Sequence, residues 1–258
     1  MRIAIIGYGK MGHIIEQVAL QREHTIVSTI DIHNQADFLS ADFLSADVAI
    51  EFTTPSTALD NYRRCFDAGI PVVSGTTGCT HLLGDVITQC ETEGKTFFYA
   101  SNFSIGVNIF FAINRYLAQL MNPCPEYDAR MTEIHHIHKL DAPSGTALTL
   151  AEGILQEMNR LNEWRLADAK TPHSSHETEK VNPDELLIHA IREGEVPGTH
   201  EIVYDSAVDS ITIRHEAKNR HGFALGAVLA AEFTCGKKGF FTMKDLMKRA
   251  CTLIHPSK

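Results

Sequence analysis

The sequence lacks the closely spaced cysteine pairs that are typical of zinc clusters, and its cysteines form no recognisable disulfide pattern. Its 258 residues include six scattered cysteines with no CxxC pair: Cys65, Cys79, Cys90, Cys124, Cys235 and Cys251. This scattered spacing indicates neither a zinc cluster nor a disulfide framework. We therefore expect reduced thiols that behave as small, mostly buried apolar side chains.

Long apolar runs and a surplus of positive charge are also missing. No run approaches the roughly 18–20 apolar residues of a membrane span, and glycine interrupts the N-terminal stretch Met1–Gly7 too early for a signal peptide. We therefore expect a cytoplasmic protein with no membrane partner. The formal net charge of −9 argues against a nucleic-acid partner, because phosphate backbones demand surplus lysine and arginine. An anionic small molecule stays possible, because it responds to the local field of its binding site.

The first hundred residues alternate short β-branched runs with helix-like stretches. Strands are predicted at Arg2–Ile6, Thr25–Ile30, Val48–Phe52, Pro71–Ser74 and Thr96–Tyr99. Helices are predicted at Met11–Gln21, Ser56–Ala68 and His81–Glu93. This alternation is typical of βαβ units, so we predict an α/β fold with a Rossmann-like doubly wound parallel sheet.

The pattern changes after about Ser104. Helices are predicted at Val107–Met121, Ser144–Met158 and Phe223–Phe233, a strand at Tyr127–His135, a polar loop at Asp168–Pro183 and strand-like pieces between Leu186 and Arg214. Thr242 and Asp245 resemble a capping box for a last helix. We therefore predict a second, α+β domain with an open mixed sheet over 104–221, and a first domain of 1–103 with 222–258. The tandem repeat Ala36–Ser45 is too short for a solenoid.

A glycine motif joins the first predicted strand to the first helix. Gly7-Tyr8-Gly9-Lys10-Met11-Gly12 matches GxGxxG, whose glycines permit a tight turn and let a pyrophosphate approach the helix N-terminus. Asp31, at the end of the second strand, can accept hydrogen bonds from an adenosine ribose, or it can simply start a turn. Because its carboxylate repels a 2′-phosphate, we expect NADH and NADPH both to serve, with NADH favoured. The nearby cations Lys10 and His33 are expected to reduce the preference for NADH over NADPH.

Two further segments follow predicted strands, at the edge where open α/β sheets bind ligands. They are Gly75-Thr76-Thr77-Gly78 and Ala100-Ser101-Asn102-Phe103. Their backbone amides and small polar side chains suit the positioning of a nicotinamide ring. Taken singly, either segment is also an ordinary turn.

The densest group of reactive side chains lies between Glu133 and Thr146. It is a cationic, proton-donating cluster of His135, His136, His138 and Lys139. Just beyond it, Ser144 is positioned to cap a helix whose first amides, those of Gly145 and Thr146, form a ready carboxylate site. Together these groups suit a small dianion.

Two other interpretations of the histidines stay open. Histidines often fill structural hydrogen-bonding roles, because they are commonly half-buried. Metal binding is less favoured, because His136 and His138 would share one face of a strand while His135 takes the other. No metal is therefore expected.

At these residues the sequence resembles the dihydrodipicolinate reductase family, also called 4-hydroxy-tetrahydrodipicolinate reductases. The family signature E-x-H-H-x-x-K-x-D-x-P-S-G-T-A runs intact from Glu133 to Ala147. The resemblance extends over nearly the whole chain. It includes Ala100–Asn108, Arg192-x-Gly194-x-x-x-Gly198-x-His200 and Arg220-x-Gly222-Phe223-Ala224-x-Gly226-Ala227.

The resemblance implies an NAD(P)H-dependent oxidoreductase that reduces 4-hydroxy-tetrahydrodipicolinate, a dicarboxylate, to tetrahydrodipicolinate in the diaminopimelate route of lysine biosynthesis. It implies a dinucleotide-binding first domain and a second domain that binds substrate and assembles a homotetramer. The implied catalytic residues are His135 and Lys139, and the implied substrate contacts are His136, Gly145 and Thr146. The implied cofactor contacts are Gly7, Tyr8, Gly9, Lys10, Met11, Gly12, Asp31, Gly75, Thr76, Thr77, Ala100, Ser101, Asn102 and Phe103.

One departure bears on the cofactor. Some family members carry arginine directly after the ribose-binding acid, and this chain has Ile32 there, which weakens a 2′-phosphate site. Two rivals remain: a homoserine- or sugar-dehydrogenase-like enzyme, which does not need the histidine–lysine cluster, and a nucleotide-sensing binding protein without turnover.

Overall fold

The computed structural model describes residues 1–78, 83–167 and 182–254 of the chain. Contacts divide the chain into two compact units, Met1–Ile105 with Arg220–Lys258, and Gly106–Asn219. The predicted loop Asp168–Pro183 lies outside the described residues apart from its last two positions. Among the described residues, no helix is long and apolar enough to cross a membrane.

The strands and helices alternate through the first unit and change order in the second. The strands are β1 (Arg2–Ile6), β2 (Thr25–Ile30), β3 (Val48–Glu51), β4 (Val72–Ser74), β5 (Thr96–Tyr99), β6 (Asp128–His135), β7 (Glu163–Leu166), β8 (Glu185–Arg192), β9 (Thr199–Asp205), β10 (Ser210–Glu216) and β11 (Gly239–Thr242). The helices are α1 (Lys10–Gln21), α2 (Ala41–Leu44), α3 (Pro55–Asp67), α4 (Leu83–Thr92), α5 (Ile105–Met121), α6 (Gly145–Glu157), α7 (His221–Thr234) and α8 (Met243–Ile254).

The first unit is built on a parallel sheet with the strand order β11-β5-β4-β3-β1-β2. β3, β4 and β5 are buried along their whole length, as expected for strands covered on both faces. One face packs against α1 and α7, and the other packs against α3. The predicted Rossmann-like doubly wound sheet is confirmed.

The short repeat at residues 36–45 has a packing role. Its first copy forms a 3-10 turn and its second forms α2. Phe38 and Phe43, the equivalent phenylalanines of the two copies, are both buried, with ring centroids 5.0 Å apart. The repeat therefore places two aromatic rings in the same core.

The second unit is built on a mixed five-stranded sheet with the order β10-β9-β6-β8-β7. β9 runs antiparallel to β6 and β10, whereas β8 runs parallel to β6 and β7. Burial alternates along β6 because one face packs on α5 and α6. The predicted open mixed sheet is confirmed.

Several boundaries differ from the sequence-based ones. Helix α3 begins at Pro55 after Thr54, and not at Ser56, because the fixed φ of proline suits the first position of a helix. The edge strands β7 and β11 were not predicted. Each has four residues, which is too short for a clear periodic pattern.

Candidate active site

The glycines of the first motif shape a close turn between β1 and α1. Gly7 has a φ of +92°, and a Cβ there would lie 2.1 Å from the carbonyl oxygen of Phe52. A Cβ on Gly12 would lie 2.5 Å from the carbonyl oxygen of Gly7. Gly9 caps α1 without a side-chain hydrogen bond, and the first turn has no acidic residue. The helix start is thus open to an anion.

A cavity of about 330 Å³ lies at this turn, within the first unit. It is lined by Gly7, Gly9, Lys10, Met11, Phe52, Thr53, Thr54, Pro55, Gly75, Thr76 and Thr77. The structure therefore brings together seven of the residues that the sequence proposed for the cofactor. The segment Phe52–Pro55 was missed, although it also follows the carboxyl end of a parallel strand and the same rule would have selected it.

A buried carboxylate connects two of the loops that line this cavity. Glu51 is completely buried at the end of β3 and accepts hydrogen bonds from the hydroxyls of Ser74, at 2.7 Å, and Thr76, at 2.9 and 3.0 Å. The hydroxyl of Thr76 also accepts a hydrogen bond from the Thr53 amide at 2.8 Å. The Thr76 side chain therefore ties two cavity loops together.

Asp31 lies directly after β2 and does start a turn. Its Oδ1 accepts a hydrogen bond from the His33 amide at 2.8 Å, and its own amide donates to Oδ1 of Asn34 at 2.8 Å. Within the described part of the chain, no donor reaches Oδ2. The neighbouring residue, Ile32, is 79% exposed and carries no charge.

The segment Ala100–Phe103 is more buried than its sequence suggests. Ala100 and Phe103 lie in the core, where the Phe103 ring contacts Phe52 with centroids 5.6 Å apart. The side-chain oxygen of Asn102 accepts a hydrogen bond from the Ser104 amide at 2.9 Å. Ser101 is exposed. Phe103 therefore supports the edge of the sheet through packing.

In the second unit, the proposed substrate residues lie on the segment between β6 and α6. His135 is the last residue of β6 and is 7% exposed. Lys139, in the following turn, donates hydrogen bonds to both carboxylate oxygens of Asp141 at 2.8 and 2.9 Å. Burial raises the pKa of Asp141, but the hydrogen bond and charge of Lys139 outweigh it and hold that pKa below its usual range.

Helix α6 begins with the capping interaction that the sequence predicts. Oγ of Ser144 accepts a hydrogen bond from the Ala147 amide at 3.2 Å, and the helical ladder starts with the Leu148 amide and the Ser144 carbonyl at 2.9 Å. The amides of Gly145 and Thr146 precede the first of these helical hydrogen bonds. The first turn has no acidic residue, and Gly145 is exposed.

Glu133 lies beneath this segment and is completely buried. Its carboxylate accepts hydrogen bonds from the Ser144 amide at 3.0 and 3.1 Å and from Nη2 of Arg192 at 3.2 Å. Arg192 also donates to the carbonyl oxygens of Lys139 and Asp141. Glu133 and Arg192 belong to quoted motifs, but sequence reasoning gave neither of them a role.

Two buried histidines complete the group. His200 Nε2 lies 3.2 Å from Oγ of Ser144, and the rings of His135 and His200 are 5.2 Å apart. Burial, followed by the charges of His135, His215 and Lys139, lowers the pKa of His200 to about 3. Burial also lowers the pKa of His135, although the nearby Glu133 carboxylate opposes the shift.

Gly198 has no side chain at the point where His135 packs. A Cβ there would lie 3.1 Å from Nε2 of His135, and the φ of Gly198 is +153°. The glycine of the Arg192-to-His200 motif therefore leaves room for the imidazole.

The histidines of the predicted cationic cluster make separate contacts in the structure. His136 and His138 have ring centroids 6.0 Å apart, and His138 pairs with Glu195 on the surface at 3.1 Å. The ligand atoms of Glu133, His135 and His200 do lie within 4.8 Å of one another. However, the carboxylate of Glu133 already receives an amide and a guanidinium, so its donor set suits a hydrogen-bonded network better than a metal.

Comparison with known proteins identifies both halves of the chain. Residues 1–103 match the family model "Dihydrodipicolinate reductase, N-terminus", and residues 106–247 match "Dihydrodipicolinate reductase, C-terminus". The 4-hydroxy-tetrahydrodipicolinate reductase of Christiangramia forsetii is 47% identical over 96% of this chain and 98% of its own. The reductase of Archaeoglobus fulgidus is 34% identical over 96% of this chain and 100% of its own.

A solved structure has the same fold. The dipicolinate-bound dihydrodipicolinate reductase of Paenisporosarcina sp. TG-14 superposes with a TM-score of 0.72 at 24% identity, covering 94% of this chain and 97% of that one. The chain belongs to the dihydrodipicolinate reductase family, the nicotinamide-dependent oxidoreductases that reduce 4-hydroxy-tetrahydrodipicolinate in lysine and diaminopimelate biosynthesis.

Proposed function

We propose that the segment His135–Thr146 binds the dicarboxylate substrate and supplies the proton that completes its reduction. The observation that supports this most is the position of the Lys139 ammonium, on a short turn between a buried histidine and the start of α6. One carboxylate of the substrate would lie at the amides of Gly145 and Thr146, where the helix dipole favours an anion. The other would lie near His136 and Lys139.

The substrate class is supported by a relative. The protein from Paenisporosarcina is described with dipicolinate bound, and dipicolinate is a planar ring that carries two carboxylates. A dianion of this kind needs two separate sites for negative charge. The segment has two suitable features, the Lys139 ammonium and the N-terminus of α6.

The two proposed catalytic residues would divide the proton chemistry. Loss of the C4 hydroxyl as water leaves a conjugated imine, whose C4 accepts the hydride. A positively charged Lys139 can then donate a proton to substrate carbon C3 and offset the negative charge that develops as hydride arrives at C4. Because burial lowers the pKa of His135, its neutral form dominates at neutral pH. His135 would then orient the substrate or relay a proton after Lys139 has acted.

The first unit fits a dinucleotide. Its cavity is made from backbone and small side chains, and a Cβ at Gly7 or Gly12 would collide with neighbouring backbone. When bound, the reduced nicotinamide supplies the hydride. Gly7–Gly12 would bind the pyrophosphate, Asp31 the ribose, and Gly75–Thr77 with Ala100–Phe103 the nicotinamide side.

We further propose that both NADH and NADPH serve, with NADH favoured. The Asp31 carboxylate repels a 2′-phosphate, and the adjacent exposed Ile32 provides no compensating charge. The expected assembly is a cytoplasmic homotetramer formed through the sheet of the second unit. Exposed apolar side chains at both edges of that sheet, Trp164 and Leu166 on β7 and Ile211 on β10, support an assembly role.

The lysine tests the proposal. Lys139→Ala is expected to lower kcat by roughly 10²-fold or more, because the general acid and its charge are both lost. Steady-state NADH oxidation, with substrate generated from pyruvate and aspartate semialdehyde, measures the effect. Lys218→Ala is the control, since Lys218 is an exposed lysine of the same unit that pairs with Glu216 at 2.6 Å. Near-native turnover of Lys139→Ala would refute the assigned role.

A further inference from the structure

We infer that Glu133 and Arg192 form a positioning pair that fixes the place of Lys139. The inference rests on the catalytic role proposed above for that lysine. Glu133 lies within β6 and Arg192 is the last residue of β8, two parallel neighbours in the same sheet. The pair is thus anchored on regular structure, whereas Lys139 lies on a turn.

Arg192 holds the turn by its backbone on both sides of residue 140. Its Nε donates to the carbonyl oxygen of Lys139 at 3.3 Å, and its Nη2 donates to the carbonyl oxygen of Asp141. Leu140, between the two carbonyl groups, is 97% exposed, so its side chain adds no packing that would hold the turn. The guanidinium and the hydrogen bond from the Ile137 amide to the Gly194 carbonyl oxygen, at 3.1 Å, therefore hold the turn in place.

Glu133 orients that guanidinium and extends the same restraint to α6. Its Oε1 lies 3.2 Å from Nη2 of Arg192, and both of its oxygens accept from the Ser144 amide. One buried carboxylate thus sets the start of the helix proposed to bind a substrate carboxylate. Through Arg192 it also sets the turn proposed to supply the proton.

The chemistry of the pair explains why these two residue types are present. A completely buried carboxylate needs a charged and hydrogen-bonded partner. Arginine serves here because its planar fork can pair with Glu133 and still donate to two carbonyl oxygens. A lysine could keep the charge opposite Glu133, but its single ammonium could not bridge the same three acceptors. Arg192→Lys therefore separates the ion pair from the positioning of the turn.

The experiment combines Arg192→Lys and Glu133→Gln with Lys139→Ala. Each variant is assayed for kcat, for KM of both substrates and for its thermal unfolding midpoint. Glu157→Gln is the matched control, because Glu157 pairs with Arg115 at 3.0 Å and lies at the far end of α6. Glu157→Gln removes a carboxylate from α6 at the end that is far from the Lys139 turn.

We expect Arg192→Lys to lower kcat by about 10- to 100-fold, the scale of a catalytic group displaced by roughly 1 Å. The KM for NADH should stay within about twofold, because the cofactor residues lie in the other unit. In the Lys139→Ala background, the same change should lower kcat by less than about twofold, since a positioning residue has no effect without the group it positions. Glu133→Gln should lower kcat likewise and should also raise the KM for the dicarboxylate, because Glu133 also holds the Ser144 amide at the start of α6. Glu157→Gln should match the native chain.

The outcomes separate this inference from the proposed function. If Lys139→Ala is slow and Arg192→Lys turns over at the native rate, the positioning role is overturned and the proposed function stands. If Lys139→Ala is itself near native, the proposed function fails first. Equal losses from Arg192→Lys with and without Lys139 would show independent roles and overturn the inference. If Arg192→Lys does not fold, Glu133→Gln decides. Failure of both to fold would assign the pair to stability and overturn the inference.

Discussion

At the scale of single residues, burial decides which groups around the substrate segment carry charge. Burial lowers the pKa values of His135, His200 and His215, so each of them is neutral at neutral pH. Positive charge then comes from Lys139 and Arg192, whose carboxylate partners are Asp141 and Glu133. A site of this kind keeps its cationic groups at fixed places while the imidazoles act as hydrogen-bonding groups.

The buried His200 predicts a loss of stability in acid. Its folded pKa of about 3 lies below the ordinary value of about 6.5, so the unfolded chain binds a proton that the folded chain excludes. The free energy of unfolding should therefore fall as pH drops below about 6.5, by about 1.4 kcal/mol per pH unit between about pH 6 and pH 4. Urea unfolding of the native chain and of His200→Gln measures this contribution. The two chains should differ in slope, and parallel pH profiles would contradict the prediction.

Asp31 predicts the direction of cofactor preference. Asp31→Asn removes the charge that opposes a 2′-phosphate, so the kcat/KM ratio of NADPH to NADH should rise by about tenfold, the scale of one close charge contact. Ile32→Arg should raise it further, because arginine pairs with phosphate through its fork. Asp42→Asn, on the exposed side of α2, should leave the ratio unchanged. A native chain that already favours NADPH by a hundredfold would contradict the assignment of Asp31.

The sequence predicted the individual catalytic candidates, but it did not predict the hydrogen-bond network of Glu133 and Arg192 that contacts their segment. His135 and Lys139, the implied catalytic residues, stand in one continuous segment with the Ser144 cap, so their proximity follows from the chain itself. Glu133 and Arg192 are 59 residues apart, and only the pairing of β6 with β8 brings them together. Local sequence patterns do not predict the pairing of strands that are far apart in the chain. The motif that contains Arg192 therefore gave no indication of its contact with Glu133.

At the scale of elements, the beginnings of two helices account for both proposed anion sites. α1 begins at a glycine turn that leaves its N-terminus open, and α6 begins at a serine cap beside Gly145. These starts were predictable because glycine spacing and capping residues are local signals. The edge strands β7 and β11 were not, because their pairing partners rather than their own four-residue patterns define them.

Two glycine variants distinguish a ligand contact from a packing requirement. A Cβ at Gly9 meets nothing within 4 Å, although Gly9 lines the cavity, whereas a Cβ at Gly12 would lie 2.5 Å from backbone. Gly9→Ala should therefore raise the KM for NADH by about tenfold or more through lost approach of the pyrophosphate, with an unchanged unfolding midpoint. Gly12→Ala should raise the KM and also lower the midpoint. Equal effects of the two changes on stability would contradict this division.

At the scale of the whole molecule, the two proposed ligand sites belong to separate compact units. The dinucleotide residues lie in the unit Met1–Ile105 with Arg220–Lys258, and the dicarboxylate residues lie in the unit Gly106–Asn219. Each unit has its own sheet and its own buried core. A substitution in one unit should therefore change the affinity for one ligand and leave the other nearly unaltered.

The proposed function requires that the segment His135–Thr146 bind a dianion through the charge of Lys139. Calorimetric titration of the NADH-loaded chain with pyridine-2,6-dicarboxylate measures that binding without turnover. Lys139→Ala should raise the Kd of the dicarboxylate by at least about tenfold, which corresponds to about 1.4 kcal/mol, while the Kd of NADH stays the same. An unchanged dicarboxylate Kd in Lys139→Ala would show that this charge does not bind the dianion.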